Sequence, residues 1–278
     1  MNYRTVLRIA GPMACLAICL PAAGQVATAR VSYEEMDKFL RGGKVLQMKE
    51  LSEGITNSRR ATLTDGTLTH DAHIQTINEF KPVYQTPQGS ELNFMDSYKF
   101  NVAGYVLDRM LDIGMVPMSV ERKVGGNTAS STWWVDDVLM TEKQRFQQNL
   151  QPPDSDLWNK QMHCVRVFDE LIQNMDRNLG NLVITKNWDM WMIDHTRGFR
   201  FNKTLKNPKN LVKCDRHLLA KLKELNRDTL TREMKGYLNK MQIDGLLARR
   251  DLIVAFFEKE VAAKGEAEIL YDYLPRKC

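Results

Sequence analysis

The chain has 278 residues, 43% hydrophobic and 26% charged, a globular composition that excludes a disordered polymer. Its 16 Gly, 9 Pro and 5 Cys exclude a collagen, a coiled coil and a disulfide scaffold. The formal charge is +5, and setting aside Arg4 and Arg8 of a leader-like segment leaves 37 basic against 34 acidic side chains, a balance that points to no nucleic-acid partner.

In chain order the first feature is that leader. No residue from Ile9 to Ala29 carries charge, the centre Met13–Leu20 is apolar, and Ala22-Ala23-Gly24 and Ala27-Thr28-Ala29 supply small residues. A basic start, a short apolar run and an A-x-A-like end predict a signal peptide over 1–29 and an exported chain, in a periplasm, the extracellular space or a secretory lumen. The same stretch is just long enough for an uncleaved membrane anchor, in which case membrane contact runs through it alone. Gly11, Pro12, Pro21 and Gly24 favour cleavage over spanning.

A short helix is expected over Tyr33–Leu40, then a strand over Val45–Leu51. Asp65-Gly66 between Arg60–Thr64 and Thr67–Thr69 is a hairpin signal. With Ala72–Ile77 continuing the third strand, these segments predict a three-stranded antiparallel meander. Asp96–Asp112 reads as a helix with Phe100, Ala103, Leu107, Met110 and Leu111 on one face, capped by Asp96 or Ser97 and ended by Gly114. Two more strands are expected at Val116–Arg122 and Ser131–Val135. A long helix follows over Leu157–Asn174, its inner face carrying Met162, Val165, Phe168, Leu171 and Ile172. Leu182–Thr185 and Met190–Ile193 suit a hairpin, and the chain beyond Asp215 reads as helical. Strands with one inserted helix, then a hairpin among helices, define an α+β bilobal protein: an antiparallel-sheet N-lobe over 30–136 and a mostly helical C-lobe over 137–278. Outside the leader, Cys164, Cys214 and Cys278 allow at most one bridge. Cys164 falls on an apolar helix face as a buried small hydrophobe, and Cys214–Cys278 is one pairing the count permits.

The chemistry concentrates between Asn174 and Phe201. If Lys186–Asp189 turns the chain with Thr185 facing Met190, Asn181 faces Asp194 across the mouth of the hairpin. Opposed residues have Cβ atoms about 5 Å apart, close enough for an amide oxygen and a carboxylate to share one Mg²⁺, a cation that prefers oxygen ligands. Asp176, five residues before Asn181 on the loop leaving the long helix, can orient a nucleophilic hydroxyl and accept its proton.

With Asp176-Arg177-Asn178-Leu179-Gly180-Asn181, Ile193-Asp194-His195 and Gly198-Phe199 in place, the sequence resembles the protein-kinase-like superfamily in its atypical branch. HipA-type bacterial kinases, type II phosphatidylinositol 4-kinases and secretory-pathway kinases of the Golgi lumen are the nearest groups. The resemblance implies a bilobal kinase-like fold, Mg²⁺ and ATP as cofactors, a nucleotide as partner and transfer of the γ-phosphoryl group to a hydroxyl acceptor. By resemblance Asp176 positions the acceptor, while Asn181 and Asp194 bind metal. The polar stretch between the first two strands stands where kinases fold a loop over phosphates, so backbone amides there with Gly54, Thr56, Asn57, Ser58 and Arg59 are candidate donors. Kinases place a Lys on strand three, where Ala72-His73-Ile74-Gln75 puts the neutral Gln75, and its partner Glu falls at Asn101, or at Asn93 or Glu91 if the helix starts sooner. Losing that pair makes an exported binding module without catalysis the alternative. Lys81 and Lys99 are the substitute cations considered. Trp134, where the lobes join, is a candidate for an adenine slot. Arg177, Arg197 and Arg200 border the site, free to meet phosphate or to pair with Asp169, Glu170 or Asp189. His195 is read as a hydrogen-bonded residue behind the site, and Lys203–Lys223 as a solvated surface.

Overall fold

The computed structural model describes residues 31–51, 58–86 and 89–275; the leader, Gly54, Thr56, Asn57 and Cys278 lie outside the described residues. The upper lobe is introduced by helix α1 (Tyr33–Gly42). Its start is fixed by a capping box in which the Glu35 amide donates to Ser32 Oγ at 3.2 Å and the Ser32 amide to Glu35 Oε2 at 2.8 Å. Its end is held by Arg122, which donates to the carbonyls of Leu40 (2.9 Å) and Gly43 (3.0 Å).

Strands β1 (Lys44–Glu50), β2 (Arg59–Thr64) and β3 (Thr69–Gln75) form the expected meander. An unanticipated ribbon follows, β4 (Asn78–Thr86) with β5 (Gly89–Ser97). After it come α2 (Lys99–Met110), β6 (Ser119–Val124) and β7 (Asn127–Trp133), giving a five-stranded sheet in the order β1-β2-β3-β7-β6. Because side chains alternate across a strand, the sheet has two distinct faces. Ala61, Leu63, Ala72, Ile74, Val120, Ala129 and Trp133 share one face, buried with Phe39 and Leu40 of α1. Burial of that apolar face is what the alternation encodes. The opposite face carries Arg60, Thr62, Asp71, His73 and Gln75, and it looks toward the site.

The ribbon escaped notice because its apolar residues do not alternate into a core. Phe80, Val83 and Leu92 are exposed, Pro82 removes a ladder donor from β4, and Asn93 opposite it on β5 is left-handed with φ 52°. Consequently α2 starts at Lys99, three residues later than expected, with Ser97 Oγ accepting from the Lys99 amide at 3.3 Å. The strand expected at Val116 begins at Ser119, because buried Asp108 takes the amides of Gly114, Met115 and Val116 at 3.0, 2.9 and 3.1 Å before they can join a ladder.

The lower lobe begins with β8 (Val138–Thr141) and α3 (Glu142–Gln147). Helix α4 (Ser155–Ile172) is capped by Asp154, whose Oδ1 accepts from the Leu157 amide at 2.9 Å. Strands β9 (Leu182–Thr185) and β10 (Met190–Met192) complete a small β10-β9-β8 sheet. The rest is β11 (Cys214–Asp215), α5 (Arg216–Glu224), α6 (Arg227–Glu233), α7 (Lys240–Lys264), α8 (Glu266–Ile269) and β12 (Leu270–Tyr271). Phe168, Leu171 and Ile172 of α4 pack with Leu246, Ile253 and Phe257 of α7 in the main core. Cys164 and Cys214 are free buried thiols, so Cys214 makes no bridge, and burial pushes the Cys164 thiol up to about 12. Among the described residues no helix is long and apolar enough to cross a membrane.

Arg249 is the unusual core residue. It is fully buried on α7, with Nε donating to Leu171 O at 2.8 Å and Nη1 to the carbonyls of Arg200 (3.0 Å) and Asn202. These carbonyls belong to the end of α4 and to the segment behind the site, so one guanidinium joins both to α7. Arg249→Met is expected to cost roughly 3 kcal/mol by orphaning them, measured as a lowered urea midpoint at unchanged slope.

Candidate active site

Helix α4 ends at Gln173, whose left-handed backbone (φ 51°) turns the chain into the loop 174–181. The loop is wound on its own polar side chains. Asn174 Oδ1 accepts from the Asp176 amide at 3.0 Å, Asn178 Oδ1 from the Gly180 amide at 2.9 Å, and Asn181 Nδ2 donates to the Asp176 carbonyl at 3.1 Å. Arg177 fixes this loop to its surroundings. Its Nε donates to Asp169 Oδ2 at 2.9 Å, while Nη1 donates to the carbonyls of Asn181 (2.9 Å) and Ile193 (2.7 Å). One largely buried side chain thereby joins α4, the loop and both strands of the hairpin. Neighbouring Asp176 is left exposed, its carboxylate without a hydrogen bond among the described residues.

The hairpin register is one residue away from the expected one. Ile184 pairs with Met190 and Leu182 with Met192, so Thr185 opposes Asp189 and Asn181 opposes Ile193 rather than Asp194. The reason lies in the turn: Lys186-Asn187-Trp188 is a three-residue loop with Trp188 left-handed (φ 62°), where a four-residue turn was expected. A one-residue slip sends a side chain to the other face. Here Asp194 leaves the strand with φ 53°, which re-aims it, and the Ile193 amide before it donates to Asn181 O at 3.1 Å. Asp194 Oδ1 accepts from Thr196 Oγ1 at 2.8 Å. Its Oδ2 and the Asn181 Oδ1 carry no hydrogen bond among the described residues. Two open oxygens of this kind fit a hard divalent cation such as Mg²⁺. Among the described residues no three His, Cys, Asp or Glu converge as a metal centre, so further ligands would come from water or phosphate, as Mg²⁺ commonly takes them.

The sheet face above contributes neutral hydrogen-bonding side chains. Gln75, fully buried, accepts from Ser58 Oγ at 3.1 Å and pairs in register with Ser130. Ser130 Oγ accepts from Asn101 Nδ2 at 3.3 Å, and Asn101 Oδ1 accepts the amide of His195 at 2.8 Å. Gln75 and Asn101 are therefore both buried and neutral on neighbouring elements, Gln75 bonded to Ser58 and Asn101 to Ser130 and to the backbone just after Asp194. Arg59, in contrast, pairs with Ile74 and lies on the opposite sheet face, reaching Met48 Sδ at 3.9 Å. Trp134 faces the site, but the Arg60 guanidinium covers its ring at 4.4 Å. Glu91 is no partner for strand three: it binds Arg197 and Arg200, each at 2.5 Å. Lys81 is paired with Glu79 at 2.6 Å on the ribbon, and Lys99 opens α2. Arg177 takes the Asp169 partner expected for it.

Three groups have roles at the site that the sequence did not disclose. His73 faces the site two residues before Gln75, a position legible from period-two alternation. Asp96, expected as a helix cap, is 5% exposed with Oδ1 unbonded, and burial pushes its carboxyl up, the charge of Asp194 adding to the effect. Glu91, considered only as a partner for strand three, gave no local signal of its actual partners, which lie more than a hundred residues away. His195 is 1% exposed, and Gly104 of α2 makes room for it: a Cβ there would meet the His195 ring at 3.1 Å. Burial, and then the positive Arg177, hold its imidazole well below the ordinary range.

A structure of hydra Fam20 with sugar superposes at TM-score 0.65 and 16% identity, over 87% of this chain and 93% of that one. A crystal structure of the golgi casein kinase superposes at TM-score 0.61 and 12% identity, over 87% and 79%. No protein-family model matches the sequence, and no curated protein sequence does. The chain has an atypical protein-kinase-like fold, α+β and bilobal.

Two outcomes are expected. Gln75→Lys places an unpaired cation in a buried network and should destabilise by about 3 kcal/mol or more, whereas Gln75→Lys with Asn101→Glu should recover part of that loss in a denaturant double-mutant cycle. For His195, the unfolded imidazole titrates near 6.5 and the folded one well below it, so the unfolded state takes up the proton first. Its share of stability is complete above about pH 6.5 and is lost as pH falls below it. His195→Phe should therefore show a shallower fall in Tm between about pH 7 and about pH 5 than the parent chain.

Proposed function

We propose that the chain is an atypical kinase that transfers the γ-phosphoryl group of Mg²⁺-bound ATP to a hydroxyl acceptor outside the cytoplasm. One observation carries this reading: Asp176, Asn181 and Asp194 are organised around Arg177, and each keeps a side-chain oxygen without a hydrogen bond among the described residues. Asn181 Oδ1 and Asp194 Oδ2 would hold the cation, which when bound neutralises charge on the phosphoryl group. The Asp176 carboxylate orients the acceptor hydroxyl and takes its proton as the oxygen attacks. Arg177 keeps Asp176 beside the hairpin, and buried Asn101 anchors the backbone just after Asp194.

Nucleotide would lie between the 30–136 and 137–278 lobes, with Ser58 on the phosphate side. The golgi casein kinase is named for a protein substrate and the hydra structure holds a sugar, so protein and sugar hydroxyls are the acceptor classes to test. The leader and the Golgi relative together favour a secretory lumen, with membrane contact confined to the N-terminal segment if it stays uncleaved. The neutral pair Gln75 and Asn101 supports a second reading, a binding module without catalysis.

The two readings separate in one experiment. Millimolar Mg²⁺-ATP should raise the Tm of the parent chain, and Asp194→Asn, which keeps the left-handed backbone accessible, should abolish the shift. Asp176→Asn should keep the shift but lose phosphoryl transfer to casein or to sugars by about 10²-fold or more. A shift without ADP formation identifies the binding module, and no shift in the parent chain rejects both.

A further inference from the structure

The phosphates of a nucleotide need positive charge, and the strand-three position that supplies it in kinases is here a buried, neutral Gln75. We infer that a cross-strand row of basic side chains, Lys49, Arg60 and His73, forms the polyphosphate-binding surface in its place. The inference rests on the phosphotransfer reading and adds the residues that would hold the nucleotide's anionic part.

The register makes the row. Lys49 of β1 pairs with Arg60 of β2, and Arg60 pairs with His73 of β3. Directly paired residues project to the same face of a sheet, so all three share the face of Gln75 and Ser130. Two inter-strand steps make the row about 10 Å long. At its β3 end His73 lies close enough to Asp194 for that carboxylate to act on its imidazole. The adjoining row, Gln47, Thr62 and Asp71, completes a cavity of about 260 Å³ with Lys49 and Arg60.

The donors in this row are built rather than scattered. Arg60 is oriented by Asp71, to which Nε donates at 2.7 Å, and by the Trp134 ring beneath it. Asp71 also accepts from Thr62 Oγ1 at 2.6 Å, so each of its oxygens already has a partner. Arg60 Nη1, the Lys49 ammonium and both His73 ring nitrogens carry no hydrogen bond among the described residues. An anion reaching from the cavity to Asp194 would pass all three, with Lys49 and Arg60 giving charge and His73 giving an N–H donor nearest the metal-binding oxygens.

Isothermal titration of the full chain with Mg²⁺-ADP tests this. The parent chain should bind, and Lys49→Ala with His73→Ala should weaken binding at least about tenfold and flatten its salt dependence. Lys49→Arg, which keeps the charge, should bind within about twofold of the parent where Lys49→Ala does not. Lys49 is exposed, so its single variant reports even if the double variant melts early. Binding within about twofold of the parent in folded Lys49→Ala and double variants overturns the row and leaves the kinase reading standing. Absence of binding by the parent chain overturns both.

Discussion

Everything at the candidate site is referred to the Arg177 guanidinium. Five donors in a rigid plane let one side chain meet the Asp169 carboxylate and two backbone carbonyls at once, which a lysine ammonium on a flexible stem does not reproduce. The carbonyls come from Asn181 and Ile193, residues directly opposed in the hairpin. The loop acid and the hairpin oxygens therefore share a single reference point on α4, and α4 is itself fixed through the core to α7. Arg249 repeats the device one layer deeper, joining α7 to the end of α4 and to the segment after Asp194.

The upper lobe solves a different problem. A buried Lys–Glu pair is costly to desolvate and damaging when half removed, whereas amides and hydroxyls can be satisfied without net charge. Ser58 with Gln75, and Asn101 with Ser130, are such pairs on adjacent strands and helix, and Asn101 also takes the His195 amide. Strand three is thereby coupled to the segment behind Asp194 by neutral contacts. Any charge that a nucleotide requires must be presented at the surface of the sheet instead of in its interior, which is the arrangement of Lys49, Arg60 and His73.

Much of this was legible in the chain itself. The Asp65-Gly66 turn, the apolar alternation at Ala61, Leu63, Ala72 and Ile74, and the period of α4 disclose the sheet and the main helix, because each is a local pattern tied to burial. The loop from Asp176 to Asn181 was legible for a similar reason, its spacing being compact in sequence. What stayed hidden depends on distant partners or on a single backbone angle. Trp188 in a left-handed conformation shifts the hairpin by one residue, and a tryptophan gives no warning of that. The β4–β5 ribbon exposes Phe80, Val83 and Leu92 yet buries the adjacent Phe94 and Met95, so its strands carry no clean alternation. Arg197 and Arg200 were visible as cations, but their shared partner Glu91 lies on that ribbon.

The ribbon lies along the stretch that follows Asp194 and is fastened to it along its length, Arg200 Nη1 also donating to the Met95 carbonyl at 3.2 Å. Near its base the Ser97 amide donates to the Thr196 carbonyl at 2.9 Å, and toward its tip Glu91 grips two arginines. A stretch splinted in this way has little freedom to swing. Moving it would strip one carboxylate from two guanidiniums, one of them buried, so this chain is ill suited to on-off control by rearranging that stretch.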